Sequence, residues 1–269
     1  MHLIFNACIQ HGYVPSHFLL GTISPIIKDN NGDINSVNNY RGITISPIAS
    51  KILEHLLNSM LSPYLETDAR QFGFKKKSST LHAMYYLKET VNHYIDNGSI
   101  VFCAFLEASK AFDRLVHSGL FLKLIARGIP KIFLDLIIYW YSNLKCRVKW
   151  DDCFSKWFCI KAGVRQGGIL SPILYCLYVE DLIAILKSKD VGCYIMSVFL
   201  AALIYADDVA ILAPSVKGLC ILLNACNDYC IEWDICLNAR KSKLLYFGKR
   251  CTDPFVPSLN GTPIEWVDR

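Results

Sequence analysis

The stretch Ser197–Ala213, SVFLAALIYADDVAILA, limits the fold more than any other part of the chain. Two apolar runs, Phe199–Ile204 and Val209–Ala213, flank Tyr205-Ala206-Asp207-Asp208. Runs of that length, rich in Leu, Ile, Ala and Val, predict two buried strands. Successive strand side chains point to opposite faces, so neighbouring carboxylates share a site only where the chain turns. A hairpin with Asp207 and Asp208 at or near its tip is the expectation. Carboxylates between oily strands are costly unless neutralised, and a divalent metal is the natural counter-charge. Two plainer readings compete. Asp is a common turn residue, and the stretch is about long enough to cross a bilayer. Two ionised Asp at its centre argue against a membrane span.

The rest of the chain decides between them. Its 269 residues suffice for one large or two small domains with a sizeable core. Mean hydropathy is +0.30, yet no uninterrupted apolar run exceeds the hairpin strands and nearby helices. A net charge of +5 permits a polyanionic partner without requiring one. The start, MHLIFNACIQHG, lacks the basic opening and small-residue cleavage site of a signal peptide. None of the twelve cysteines forms a CxxC pair, and Cys226, Cys230 and Cys236 have no matching His nearby. That argues against zinc and for reduced core thiols of an intracellular protein.

In chain order, Leu3–His11 reads as a helix stopped by Gly12 and Pro15, and 22–28 as a strand. Arg41 follows in Asn39-Tyr40-Arg41-Gly42-Ile43-Thr44-Ile45; alone it reads as a surface charge. Ser46 is the expected cap of a helix with Pro47 in its first turn. Ile48, Ile52, Leu53, Leu56, Leu57, Met60 and Leu61 mark the expected buried face. Gln71–Thr80, QFGFKKKSST, is the most basic cluster. It precedes a helix with Leu81, Met84, Leu87, Val91 and Tyr94 on one side, and is either a phosphate site or a solvated loop. Ile100–Leu106 predicts a buried strand ending in Glu107, followed by Ala108-Ser109-Lys110-Ala111-Phe112-Asp113-Arg114. A second carboxylate-bearing strand end is what a metal site on the hairpin needs. Helices are expected over 118–126 and 131–144, and a hairpin over 146–150 and 157–162. Gly163–Pro172, GVRQGGILSP, has paired glycines that let backbone approach a ligand closely. A helix over 171–186, one over 215–233 and a strand over 244–247 complete the pattern.

Together these pieces resemble the reverse transcriptase of non-LTR retrotransposons, in particular the jockey-like elements, over about residues 3–266. NYRGITISP and QFGFKKKSST look like its fingers motifs. FLEASKAFDRL looks like its first palm motif, GVRQGGILSPILY its template and nucleotide motif, YADD its catalytic hairpin and LNARKSKLLYFGK the next palm motif. YADD alone is weak; GVRQGGILSP with AFDR upstream and YADD downstream is specific.

The resemblance implies an α+β right-hand polymerase. Fingers would span 1–98, and a ferredoxin-like antiparallel palm sheet with helices 99–250, with a finger-side insertion at about 119–160. Residues 251–269 would lead towards a primer grip. The thumb is expected to be absent, because the chain stops at Arg269, and no endonuclease precedes residue 1. The implied activity is RNA-directed DNA synthesis, with an RNA template, a DNA primer and dNTPs as partners and no membrane. The implied cofactor is two Mg²⁺ ions, with Mn²⁺ as substitute, held by Glu107, Asp207 and Asp208. Arg41 and Lys75 would meet the triphosphate, together with backbone around Lys110. Phe112 would block a ribose 2′-hydroxyl. Gln166 and Gly167 would pack on the nascent base pair, and Lys241 would protonate the pyrophosphate. Cytoplasm and nucleus are the implied locations. Glu107 stands where the family pattern has Asp. The alternative is thus an inactive, truncated relic that at most binds nucleic acid.

Overall fold

The computed structural model describes residues 1–249 and 256–267. Cys251 and the rest of 250–255, with 268–269, lie outside the described residues, so part of the expected lead towards a primer grip does too.

Helix α1 (His2–His11) ends at Gly12, whose φ of 63° turns the chain back so that the cap N–H groups meet the Cys8 and Ile9 carbonyls. Strands β1 (Leu20–Ile27) and β2 (Tyr40–Ile45) follow, then α2 (Ile48–Leu61). Helix α3 (Thr80–Asp96) leads to β3 (Val101–Glu107) and a single turn, α4 (Ala111–Arg114). Helices α5 (His117–Ala126) and α6 (Lys131–Ser142) precede β4 (Lys145–Trp150), β5 (Cys153–Phe154) and β6 (Phe158–Cys159). Next come α7 (Ser171–Val179), α8 (Asp181–Lys187), β7 (Tyr194–Ile195) and β8 (Val198–Phe199). The two strands β9 (Ala202–Tyr205) and β10 (Asp208–Ala213) are the hairpin. Helix α9 (Val216–Glu232) starts at Ser215, whose hydroxyl accepts from the Gly218 N–H. The described chain closes with β11 (Lys243–Phe247), β12 (Ser258–Leu259), β13 (Thr262–Pro263) and β14 (Glu265–Trp266).

Three expectations need correction. Pro47, not Ser46, caps α2, and the buried Ser46 hydroxyl has no partner. Ser46 sits one residue too early to reach the first free N–H groups. On α2, Leu53, Leu57 and Leu61 are buried while Ile48, Ile52, Leu56 and Met60 are exposed. Each residue turns the helix by about 100°, so the apolar set is two adjacent stripes and packing selects one. On α3, Val91 is buried and Leu87 and Tyr94 pack on the core, but Leu81 and Met84 are exposed. In addition, the helix expected over 171–186 is interrupted at Glu180, between α7 and α8.

The chain forms two compact bodies. The first takes residues 1–66 and 112–175. Its sheet runs β2-β1-β4-β5, with β6 also on β4. One face is tightly filled: a Cβ on Gly21 would stand 2.7 Å from the Thr44 side chain and 3.0 Å from the Cys146 sulfur. The other face carries Arg41, Ile26 and Ile45, and all three are exposed.

The second body takes residues 67–111 and 176–269. Its sheet runs β14-β11-β3-β10-β9, with β3 antiparallel to both neighbours. Arg70–Phe72 extends it past β9: the Ile204 N–H meets the Arg70 carbonyl at 2.9 Å, and the Phe72 N–H the Ile204 carbonyl at 2.8 Å. Cys103, Leu203 and Leu212 make a core with Val91 of α3, while α9 packs on β3 and β10.

Candidate active site

In the second body, β3 ends at Glu107 directly opposite Asp208, the first residue of β10. Residues paired across antiparallel strands project to the same face, so these two carboxylates are cross-strand neighbours. Ala206 and Asp207 form the two-residue turn between β9 and β10. Ala206 takes φ 58°, the first-position geometry that two-residue hairpins favour. Partial burial raises the Asp208 carboxyl above its usual value, and the charges of Asp207 and Glu107 raise it further. Lys241 acts in the opposite direction. Its ammonium is ion-paired with Glu107. The loop carrying Lys241 is pinned to the β3 end, where the Asn238 N–H meets the Glu107 carbonyl at 2.8 Å and the Glu107 N–H meets Ser242 Oγ at 3.3 Å. Among the described residues, no three His, Cys, Asp or Glu side chains form a ready-made metal-binding group.

Sequence reasoning missed what supports the turn. Gln71 is fully buried, and its side-chain oxygen accepts from the Gly73 and Ala206 N–H groups. A Cβ on Gly73 would stand 2.4 Å from the Ala206 nitrogen. The charge of Asp207 acts on a neighbour the sequence did not suggest. Burial, with the Asp207 charge adding to it, pushes the Cys176 thiol up to about 12. The only local signal was a Gln and a Gly beside the basic cluster. Lys75 sits in the same segment and gives its ammonium to the Thr67 and Asp68 carbonyls at 2.8 and 3.1 Å. Lys110 is exposed at φ 52°, in the turn after β3.

The first body holds the other expected residues. Arg41 is exposed on β2, paired with Ile26. Phe112 stacks on Tyr175 with ring centroids 4.8 Å apart and planes 27° apart. The Gln166 carbonyl accepts from the Thr44 N–H at 2.6 Å, and its side-chain amide donates to Asp113 at 2.7 Å. Gly167 has φ 110°, and a Cβ there would lie 2.8 Å from the Thr44 carbonyl oxygen, so only glycine fits. A buried pair the sequence did not suggest fixes this loop: Arg165 meets Glu54 at 2.6 Å. The second Glu54 oxygen accepts from the Ile169 and Leu170 N–H groups.

The sequence model for reverse transcriptase (RNA-dependent DNA polymerase) matches residues 27–266. The probable RNA-directed DNA polymerase from transposon X-element of Drosophila melanogaster is 30% identical over 94% of this chain and 28% of that protein. The RNA-directed DNA polymerase from mobile element jockey of Drosophila funebris is 29% identical over 97% of this chain and 29% of that protein. The chain thus spans less than a third of the length of these relatives. Among solved structures, apo telomerase from Candida tropicalis, truncated from its C-terminal domain, superposes with a TM-score of 0.63 at 14% identity. The match covers 89% of this chain and 52% of that one. The telomerase of Candida albicans, solved with a fragment of telomeric RNA, gives 0.61 at 13% identity over 93% of this chain and 45% of that one. The fold is that of a right-hand polymerase. No helix among the described residues is long and apolar enough to cross a membrane. This chain belongs to the reverse transcriptase (RNA-dependent DNA polymerase) family.

Proposed function

We propose that this chain is the polymerase core of a non-LTR retrotransposon, adding deoxynucleotides to a primer 3′-hydroxyl on an RNA template. One observation carries the reading: Glu107 stands opposite Asp208, beside the Asp207 turn, with Lys241 against it. The relatives named as RNA-directed DNA polymerases support it, as does the telomerase solved with RNA.

Reverse transcriptases use divalent metal ions. The residues suit one, because burial and then the charges of Asp207 and Glu107 raise Asp208, and all the donors are hard carboxylate oxygens. Glu107, Asp207 and Asp208 would hold two Mg²⁺, or Mn²⁺, which when bound stabilise charge on the attacking and leaving oxygens. In this reading Lys241 donates a proton to the departing pyrophosphate. Arg41, Lys75 and the backbone near Lys110 offset triphosphate charge. Phe112, braced by Tyr175, excludes a ribose 2′-hydroxyl. Gln166 and Gly167 support the nascent base pair.

The test is primer extension on an RNA template at fixed low salt. Extension by the parent that falls to background in Asp207→Asn is expected. A second reading, the inactive relic, takes Glu107 as one mark of a decayed copy whose defect lies elsewhere as well. It predicts template binding without extension in the parent and in Glu107→Asp alike, and that result would overturn the polymerase reading.

A further inference from the structure

The open face of the sheet in the first body carries a cluster that the polymerase chemistry does not use. Every residue from Lys149 to Cys159 is exposed. Among them Phe154 is 50% exposed and Trp157 44%, while Trp150, packed on Tyr40, and Phe158, paired with Cys146, belong to the opposite face. Two large rings exposed side by side against one guanidinium make a patch suited to contact. The segment is also basic, with Lys145, Arg147, Lys149, Lys156 and Lys161 against Asp151 and Asp152.

Register gathers rings and cations on one face. Lys149 pairs with Phe154 across the β4–β5 hairpin, so Lys149, Arg147 and Phe154 project together. The Arg147 guanidinium lies 3.9 Å from the Phe154 ring centroid and 4.9 Å from that of Trp157. It also reaches Thr22 Oγ1 at 3.5 Å. Cation–π contact of this kind holds exposed rings in one arrangement, which lowers the entropy lost on binding. Arg147 pairs with Thr22, and Ile26 with Arg41, so the same face runs on to Arg41.

We propose that Phe154 and Trp157, clamped by Arg147 and flanked by Lys149, form a sequence-tolerant platform for single-stranded RNA. Bases stack on the exposed parts of the rings while phosphates lie along the lysines. Only the naming of that strand as the unpaired template rests on the polymerase reading. Charge selects the occupant, since an apolar protein partner has no use for Arg147 against the rings and Lys149 paired with Phe154 in a net basic segment.

The experiment is fluorescence anisotropy of the full chain with a labelled uridine-rich single-stranded RNA, in EDTA and without dNTPs, across a salt series. Phe154→Ala/Trp157→Ala weakens binding by about tenfold or more, with the salt slope unchanged because no cation is lost. Lys149→Ala/Lys156→Ala flattens the salt slope. Trp157→Phe stays close to the parent, which separates lost stacking from lost fold. Binding of a duplex RNA hairpin moves less than about twofold in the ring variant, because paired bases offer no free face. Single-strand affinity within about twofold of the parent in the ring variant would overturn the platform. So would an equal loss for duplex, or self-association that needs the rings while RNA binding does not. A parent that binds RNA through the rings yet never extends a primer supports the platform and sinks only the polymerase reading.

Discussion

The side-chain oxygen of Gln71 accepts the Ala206 N–H at 3.1 Å and the Gly73 N–H at 2.9 Å. One buried amide therefore ties the strand beside β9 to the turn that presents Asp207. Gln71→Met keeps the shape and removes the acceptor, leaving two N–H groups without their partner. A loss of about 2–4 kcal/mol is expected, read as a lower urea midpoint. Ala206→Gly acts oppositely, because glycine takes φ 58° without strain; a gain of up to about 1 kcal/mol is expected. A Gln71→Met variant as stable as the parent would dismiss this account of the turn.

Glu107 adds a methylene to the aspartate of the family pattern, so its carboxylate reaches roughly 1 Å further, beyond the tolerance of a preorganised site. Mg²⁺ relaxes little around a displaced ligand. A weak parent, with up to about a hundredfold gain in Glu107→Asp, is the expected outcome of primer extension on Mg²⁺. A vigorous parent that gains nothing from the change would make Glu107 a competent ligand.

The Glu54–Arg165 pair is the buried strut of the Gly163–Gly168 loop, with the two residues 4% and 6% exposed. Glu54→Ala strands the guanidinium and orphans the Ile169 and Leu170 N–H groups, so a loss of about 3–5 kcal/mol is expected. Glu54→Met/Arg165→Met removes both charges together, and much of that loss should return. Denaturant titration of Glu54→Met, Arg165→Met and the double checks this. Strictly additive losses would show that the ions do not act as a pair.

His117 is buried and its Nε2–H donates to the Gly163 carbonyl at 2.7 Å. Burial lowers its pKa below the usual 6.5, against the opposing effect of that hydrogen bond. The unfolded chain therefore takes up a proton at a pH where the native state does not. The stabilisation is fully present above about pH 6.5 and is lost as pH falls towards the depressed native value. Urea midpoints of the parent should fall between pH 7.5 and 5.5 more steeply than those of His117→Gln. Parallel pH profiles would remove His117 from the acid limb.

Much of the architecture was readable without coordinates, because periodicity and turn chemistry are local. The apolar runs around YADD and the Gly12 stop each depend on residues a few positions apart. The expected strand ending in Glu107 and the helix following the basic cluster lie where the structure has β3 and α3. What the sequence left open depends on distant partners. Whether Leu53 or Ile52 is buried follows from which stripe of α2 finds a surface to cover. Gln71 became the support of a turn 135 residues away, and Glu54 the partner of an arginine 111 residues away. The sequence by itself determined that three carboxylates would sit at strand ends and a turn. Only the antiparallel register of β3 and β10 decided that Asp208, rather than Asp207, stands opposite Glu107. A shift of one residue in that register would send the side chain to the other face of the sheet, and cross-strand packing, not local sequence, sets it.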